Sequence, residues 1–274
     1  MQHIWLLGIA GAVLVSVFAV LTNGFSFNND PYQYSYQQSS CKCVAIRLDD
    51  VQDYFLTSSQ EAVINTIQSA NAPLTVGVIA NYFGNDTNIV KFIRNSESPN
   101  LEIANHGWNH EDFTKLSRGE QMILIHASSA KISELLGVKP VTFIPPFNAL
   151  NNDTAYAARD AGIKYISANT TTAPQPFATQ SQSGIIQVPG TSRDDYDNGV
   201  WFPFSHAKAM DQIDRSIKAY GFAVVVLHPQ EFAVKDASNK FKNEVDQTQI
   251  SELRLLLEQL HDNGYKLVTV SQIT

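Results

Sequence analysis

Glu102-Ile103-Ala104-Asn105-His106-Gly107-Trp108-Asn109-His110-Glu111-Asp112-Phe113 is the stretch around which the rest of the chain is organised. A short apolar run, Leu101 to Ala104, leads into it, so it sits where a strand ends and a loop begins. Its two imidazoles are four residues apart, a spacing that aims both rings at one centre if the backbone between them turns helically. Upstream, Val44-Ala45-Ile46-Arg47-Leu48-Asp49-Asp50 is a second apolar strand, and it ends in two adjacent carboxylates. An acid plus two histidines is a three-ligand set for a divalent metal that leaves a coordination position open for water. Each pair alone also has an ordinary reading, as a cap, a turn or a surface residue. What sets them apart is that both fall at the C-terminal ends of apolar strands in an alternating pattern.

Working outward, strands are expected at 44–48, 74–80, 101–104, 141–144, 164–168, 185–188, 222–227 and 266–270. Helices are expected near 59–70, 87–96, 117–136, 152–161, 205–220 and 246–262. Ser59 should cap the first helix, and Ser117 with Glu120 three residues on forms a capping-box signature for the longest. Such alternation implies an α/β fold of parallel strands with helical crossovers. The strand count suits a distorted (β/α) barrel of about seven to eight parallel strands better than a doubly wound sheet. Function in barrels gathers at the C-terminal strand ends. Four clusters lie there: Asp49-Asp50, His106 to His110, Pro145-Pro146-Phe147-Asn148, and His228-Pro229-Gln230-Glu231.

The chain has 274 residues, enough for one large domain beyond its N-terminal part. A formal charge of −7 with no basic cluster argues against a nucleic-acid partner. Charged residues make up only 16%, and Asn, Gln, Ser and Thr supply much of the polarity, which suits a surface working outside the cell. Ile4 to Leu21 is an apolar run long enough to span a bilayer, so residues 1–21 read as an export signal or a membrane anchor. Residues 22–43 read as a flexible, nearly uncharged linker, and 44–274 as the catalytic domain. Cys41 and Cys43 are the only cysteines; they are expected to bridge locally or between chains outside the cell, with no catalytic role. Asn85, Asn152 and Asn169 begin Asn-x-Thr sequons, relevant only where the host glycosylates exported proteins.

Taken together, these residues resemble the polysaccharide deacetylase (NodB-homology) family, carbohydrate esterase family 4, over about residues 44–274. Leu48-Asp49-Asp50 is similar to its first motif, and Asn105-His106-Gly107-Trp108-Asn109-His110 to its second. Phe143-Ile144-Pro145-Pro146-Phe147 is similar to the third, Val226-Leu227-His228 to the fifth, and Leu267-Val268-Thr269-Val270-Ser271 to the last strand. The resemblance implies that Asp50, His106 and His110 hold the metal, zinc or another divalent ion such as Co2+ or Ni2+. It implies Asp49 as general base and His228 as general acid, acting on an N-acetylated extracellular glycan. Pro145 and Pro146 have no N–H, so the first backbone donor in that loop is Phe147, the implied oxyanion partner. Pro146 and Asn148 would line the same rim, and Trp201 an acyl pocket.

The chain departs from the family pattern twice. The third-motif arginine that brackets the base is Ile144 here. Arg47, two residues before Asp49 on the same strand, faces the same side and is expected to take over, keeping Asp49 ionised. The fourth motif is blurred into Arg193-Asp194-Asp195-Tyr196-Asp197, where one aspartate, Asp195 among them, would orient His228. The reaction expected is N-deacetylation of an extracellular or cell-wall polysaccharide, with membrane attachment through residues 4–21 if the segment is retained. The alternatives are hydrolysis of a non-sugar C–N bond on the same barrel, and a non-catalytic glycan-binding protein with a structural metal.

Overall fold

The computed structural model describes residue 39 and residues 41–96, 98–192, 196–197 and 200–273. The run at 4–21, the linker through residue 38 and Asp195 therefore lie outside the described residues. Among those described, no helix is long and apolar enough to cross a membrane.

In chain order the elements are β1 (Cys43–Val51), α1 (Thr57–Ser69), β2 (Leu74–Val78), α2 (Thr87–Asn95), β3 (Leu101–Asn105), α3 (Arg118–Leu136), β4 (Thr142–Phe143), α4 (Asn152–Asp160), β5 (Tyr165–Ile166), β6 (Ile186–Gln187), β7 (Tyr196–Asp197), β8 (Val200–Trp201), α5 (His206–Tyr220), β9 (Phe222–Leu227), β10 (Ala233–Lys235), β11 (Phe241–Val245), α6 (Gln247–Asp262) and β12 (Lys266–Val268). Seven strands run in the order β12-β1-β2-β3-β4-β5-β6, and β9 joins at β1; every pairing is parallel. The sheet curls into a half-barrel, the NodB-like distortion expected. Among the described residues no ladder joins β6 to β9. The amides of Thr191 and Ser192 donate to Val224 O at 3.0 and 3.1 Å, and the Val226 amide donates to Ser192 Oγ at 2.8 Å.

β1 is central because it is buried on both faces, the reason its sequence reads as an almost continuous apolar run. Val44, Ile46 and Leu48 share a core with Ile64 and Ile67 of α1 and Leu253 and Leu256 of α6. On the opposite face, Cys43 and Ala45 pack with Phe222, Val224, Val268, Val270 and Ile273 and fill the barrel floor. Higher on that same face come Arg47 and Asp49, both buried. The barrel interior thus changes from apolar to charged along a single strand, and the charged half carries the site.

Ser117 and Glu120 form the expected capping box on α3. Ser59 does not cap α1: the helix starts at Thr57 behind a left-handed Leu56 (φ 54°), and Ser59 is buried with its Oγ donating to Phe232 O at 3.3 Å. Gln60 secures the entry instead, donating from Nε2 to Phe55 O and Gln52 O at 2.7 and 3.0 Å. Several strands are shorter than their apolar runs; beyond β2, for instance, Ile79 donates to Val51 O at the end of β1 and Ala80 to Gly107 O in the histidine loop. Two antiparallel hairpins, β7–β8 and β10–β11, were not legible. The first has two-residue strands, and β11 is mostly exposed, so neither leaves an apolar period.

Candidate metal centre and active site

Two adjacent aspartates in a regular strand point to opposite faces. Here Asp50 has left-handed backbone (φ 60°), and the β1–β2 register slips between Leu48 and Val51. This local irregularity brings both carboxylates to the barrel mouth. Gly77 on β2 makes room for the first of them: a Cβ there would stand 3.0 Å from Ile144 Cδ1 and 3.3 Å from Asp49 Oδ1.

The histidine loop is not helical. It leaves β3 through His106, whose amide donates to Val78 O at 2.9 Å, and turns through left-handed Gly107 (φ 81°) and His110 (φ 59°). Buried Asn105 pins the turn by donating from Nδ2 to Ile125 O and Ser129 Oγ on α3, both at 2.9 Å, while its Oδ1 accepts the Gly107 amide at 2.8 Å. Trp108 packs its ring against the core and serves the loop's structure.

The result is convergence. Asp50 Oδ1 lies 3.3 Å from His106 Nε2 and 3.2 Å from His110 Nε2, and the three donors fall within 4.8 Å of one another. That spacing suits a cation with ligands at about 2.0–2.2 Å. His106 Nδ1 is 2.8 Å from Ile144 O, a contact that places the hydrogen on Nδ1 and turns the Nε2 lone pair towards Asp50. A carboxylate oxygen facing an imidazole nitrogen needs positive charge between them, supplied by a proton or by a cation, and this donor set fits a divalent metal. Burial opposes charge on both groups, yet their mutual contacts prevail. His106 and His110 hold the Asp50 carboxyl well below the usual carboxylate range, and Asp50 and Asp49 push His106 up.

Asp50 Oδ2 accepts from Gln230 Nε2 at 3.2 Å, and Gln230 Oε1 is buried without a partner among the described residues. Gln230 was the residue sequence reasoning missed. It stood in the His228–Glu231 cluster, but nothing local tied it to a carboxylate far away in the chain.

Arg47 pairs with Asp49 from the same strand. Its Nη2 donates to Asp49 Oδ2 at 2.7 Å, and its Nη1 donates to Ser167 O and Ser167 Oγ at 2.6 and 2.8 Å. Gly190 lies beside the guanidinium and leaves space for Val226: a Cβ there would reach 2.7 Å from Val226 Cγ2 and stand at 3.6 Å from Arg47 Nη1. Across the mouth, His228 Nε2 lies 3.9 Å from Asp49 Oδ2. Asp49 Oδ1 and His228 Nδ1 are buried and have no hydrogen-bond partner among the described residues. Asp195, expected to orient His228, is outside the described residues. Glu231 Oε2 instead accepts the His228 backbone amide at 2.5 Å.

The walls are aromatic. The Trp201 ring is centred 4.7 Å from His228, and Phe147 lies 4.6 Å from His110. Phe147 also has left-handed backbone (φ 58°), and its amide is not used in the surrounding turn, whose bonds are Asn148 N–H to Pro145 O and Ala149 N–H to Pro146 O. Pro146 is buried behind it, and the Asn148 carbonyl accepts from Thr172 Oγ1 at 2.7 Å. The remaining helical histidines lie outside this cluster. His206 pairs with Glu252 at 2.6 Å, and His126 and His261 are exposed.

Fold and donor set define an α/β half-barrel protein with a candidate divalent-metal site at the strand ends. Residues 36–166 match the polysaccharide deacetylase family model, the family that the sequence motifs resemble. An uncharacterized protein of Bacillus subtilis (strain 168), YlxY, is 22% identical over 216 residues, which are 78% of this chain and 52% of that protein. The chain thus spans about half the length of this curated relative. The family 4 acetyl xylan esterase from Clostridium thermocellum, solved in complex with a cobalt ion, superposes with a TM-score of 0.56 at 17% identity, covering 84% of this chain and 89% of that one. A family 4 pseudoenzyme from Bacillus anthracis superposes with a TM-score of 0.57 at 14% identity, covering 85% of this chain and 65% of the other. At these identities the structural likeness speaks for the fold alone.

Proposed function

We propose that this chain removes N-acetyl groups from a polysaccharide outside the cell or at its surface, with a divalent cation, zinc or a neighbour such as Co2+ or Ni2+, held by Asp50, His106 and His110. When bound, the cation would supply a lowered water pKa and polarisation of the acetamide carbonyl. The chain's own residues do the rest. Arg47 holds Asp49 by Oδ2, which leaves Oδ1 free to take the proton of the attacking water. The Phe147 amide donates to the carbonyl oxygen as charge builds there. His228 delivers a proton to nitrogen as the C–N bond breaks, so acetate and a free amine leave. Trp201 walls the acyl side next to His228. The export reading draws support from the apolar run at 4–21 and from the Cys41–Cys43 disulfide, a bond kept in oxidising surroundings.

The observation that carries the reading is Asp49, buried, bound to Arg47 at 2.7 Å and facing His228 at 3.9 Å. A metal that merely stapled the fold would need neither group. The fold is also shared with a pseudoenzyme, so a glycan-binding role is the second reading. Acetate release from N-acetylglucosamine oligomers separates them. Release is expected from wild type, with loss of about a hundredfold or more on chelation or in Asp49→Asn, in line with losing a general base. Zinc-loaded protein that releases nothing from any acetylated glycan would favour the binding role. Activity confined to non-sugar amides would favour the third reading, hydrolysis of another C–N bond.

A further inference from the structure

Trp201, the wall beside His228, sits on the least self-sufficient element of the fold. β7 and β8 pair over two residues each, Tyr196 with Trp201 and Asp197 with Val200. So short a hairpin does not hold its shape alone. Its supports come from the segment that follows His228. The Lys235 ammonium on β10 donates to the Trp201 carbonyl at 2.7 Å. Phe204, just beyond β8, packs on buried Phe232 with ring centres 5.5 Å apart.

Lys235 is no ordinary surface lysine. It is half-buried, and its Nζ lies 4.9 Å from the centre of the Phe241 ring, its register partner across β10–β11. Among the described residues the ammonium is met by a carbonyl and an aromatic face, and by no carboxylate. Charge strengthens its bond to the carbonyl, and the ring limits where the ammonium can go. The base of this prop is firm. β11 is tied to α1, where the Ser58 amide donates to Asn243 Oδ1 at 2.9 Å. From His228 the chain passes through the short turn Pro229–Phe232 directly into β10, so His228 and Lys235 share one framework. Lys235 therefore fixes Trp201 relative to His228 itself, across ring centres 4.7 Å apart.

We propose that Lys235 is a positioning residue: by holding Trp201 through its carbonyl it fixes the width of the acyl pocket beside His228, and so selects acetyl over longer acyl groups. This inference rests on the deacetylase reading for the acyl group. One added methylene in a close-fitting apolar pocket is worth about 10–200-fold in kcat/KM, and a wall free to move outward forfeits much of that discrimination. Lys235→Met keeps the aliphatic stem over Phe241 and removes the donor, whereas Lys235→Arg keeps charge and donor. Two readouts apply to the metal-loaded protein: kcat and KM for N-acetyl and N-propionyl glucosamine oligomers, and acrylamide quenching of Trp201 fluorescence, taken as the difference from a Trp201→Phe variant. In Lys235→Met, quenching should rise and the acetyl-to-propionyl ratio of kcat/KM should fall about three- to tenfold, through KM for the propionyl substrate, with acetyl kcat held within about twofold. Lys235→Arg should restore both, and Phe241→Leu should move both in the same direction by less. Unchanged quenching in Lys235→Met overturns the prop. Raised quenching with an unchanged acyl ratio overturns the selectivity. A wild type that releases neither acyl group refutes the deacetylase reading and takes the selectivity with it, while quenching, which needs no turnover, still decides whether Lys235 holds Trp201.

Discussion

Arg47 and Asp49 are a buried ion pair in which each partner has little else to compensate its charge. Asp49 Oδ1 and Arg47 Nε have no partner among the described residues, so removing one side strands the other. Breaking such a pair costs about 3–5 kcal/mol, whereas replacing both members is far milder. Arg47→Met should therefore lower the unfolding free energy in urea by roughly that amount, and Arg47→Met with Asp49→Asn should recover most of it. Additive losses would mean that the two side chains do not act as a pair. Gln230 works on the neighbouring carboxylate, holding Asp50 Oδ2 so that Oδ1 faces the imidazoles. Partners of metal ligands are typically worth about 10–100-fold in metal affinity. Titrating Co2+ into metal-free Gln230→Ala and following its d–d absorbance should show a loss of that order; an unchanged affinity would remove Gln230 from the centre.

At the level of elements, the site depends on how strands end. β1 slips register, β3 turns through Gly107 and a left-handed His110, and β4 runs into a proline turn, so three strand ends deliver donors that regular strands would scatter. The helices hold this arrangement from outside. Tyr265, just before β12, donates its hydroxyl to Asp214 on α5, and that bond, with burial adding to it, pushes the phenol up to about 12. A raised folded-state pKa means that the fold favours the protonated phenol. Its contribution is therefore whole below the unfolded value of about 10 and is lost as pH climbs from there to about 12. The thermal midpoint of wild type should exceed that of Tyr265→Phe at neutral pH, and the gap should close across that alkaline window. A gap independent of pH would show that the hydroxyl–carboxylate bond is not its source.

On the scale of the whole molecule, the interior of the half-barrel is divided lengthwise. The floor is apolar, from Cys43 and Ala45 to Val270 and Ile273, and the mouth is charged from Arg47 upward. A buried guanidinium and carboxylate are tolerable only because the barrel supplies Ser167 and the opposite strand ends to meet them. The floor therefore stabilises the domain, and the mouth is left to carry the site. The repeated strand-and-helix order was legible because burial on both faces of a parallel strand produces apolar runs that turn residues interrupt. The short hairpins were illegible because exposed two- to five-residue strands produce none.

From the sequence alone came the α/β alternation, the strand ends, and the residue types gathered there: Asp49 and Asp50, His106 and His110, the Pro145-Pro146-Phe147 turn, and His228. These are local facts, set by period and by immediate neighbours. Tertiary structure alone decided that both aspartates face one mouth, that Ser167 anchors the far side of the Arg47 guanidinium, and that Gln230 holds Asp50. The last two contacts join residues 120 and 180 positions apart. Only the closing of the sheet brings such groups within hydrogen-bond reach, and no local pattern in a chain records which distant side chain will arrive.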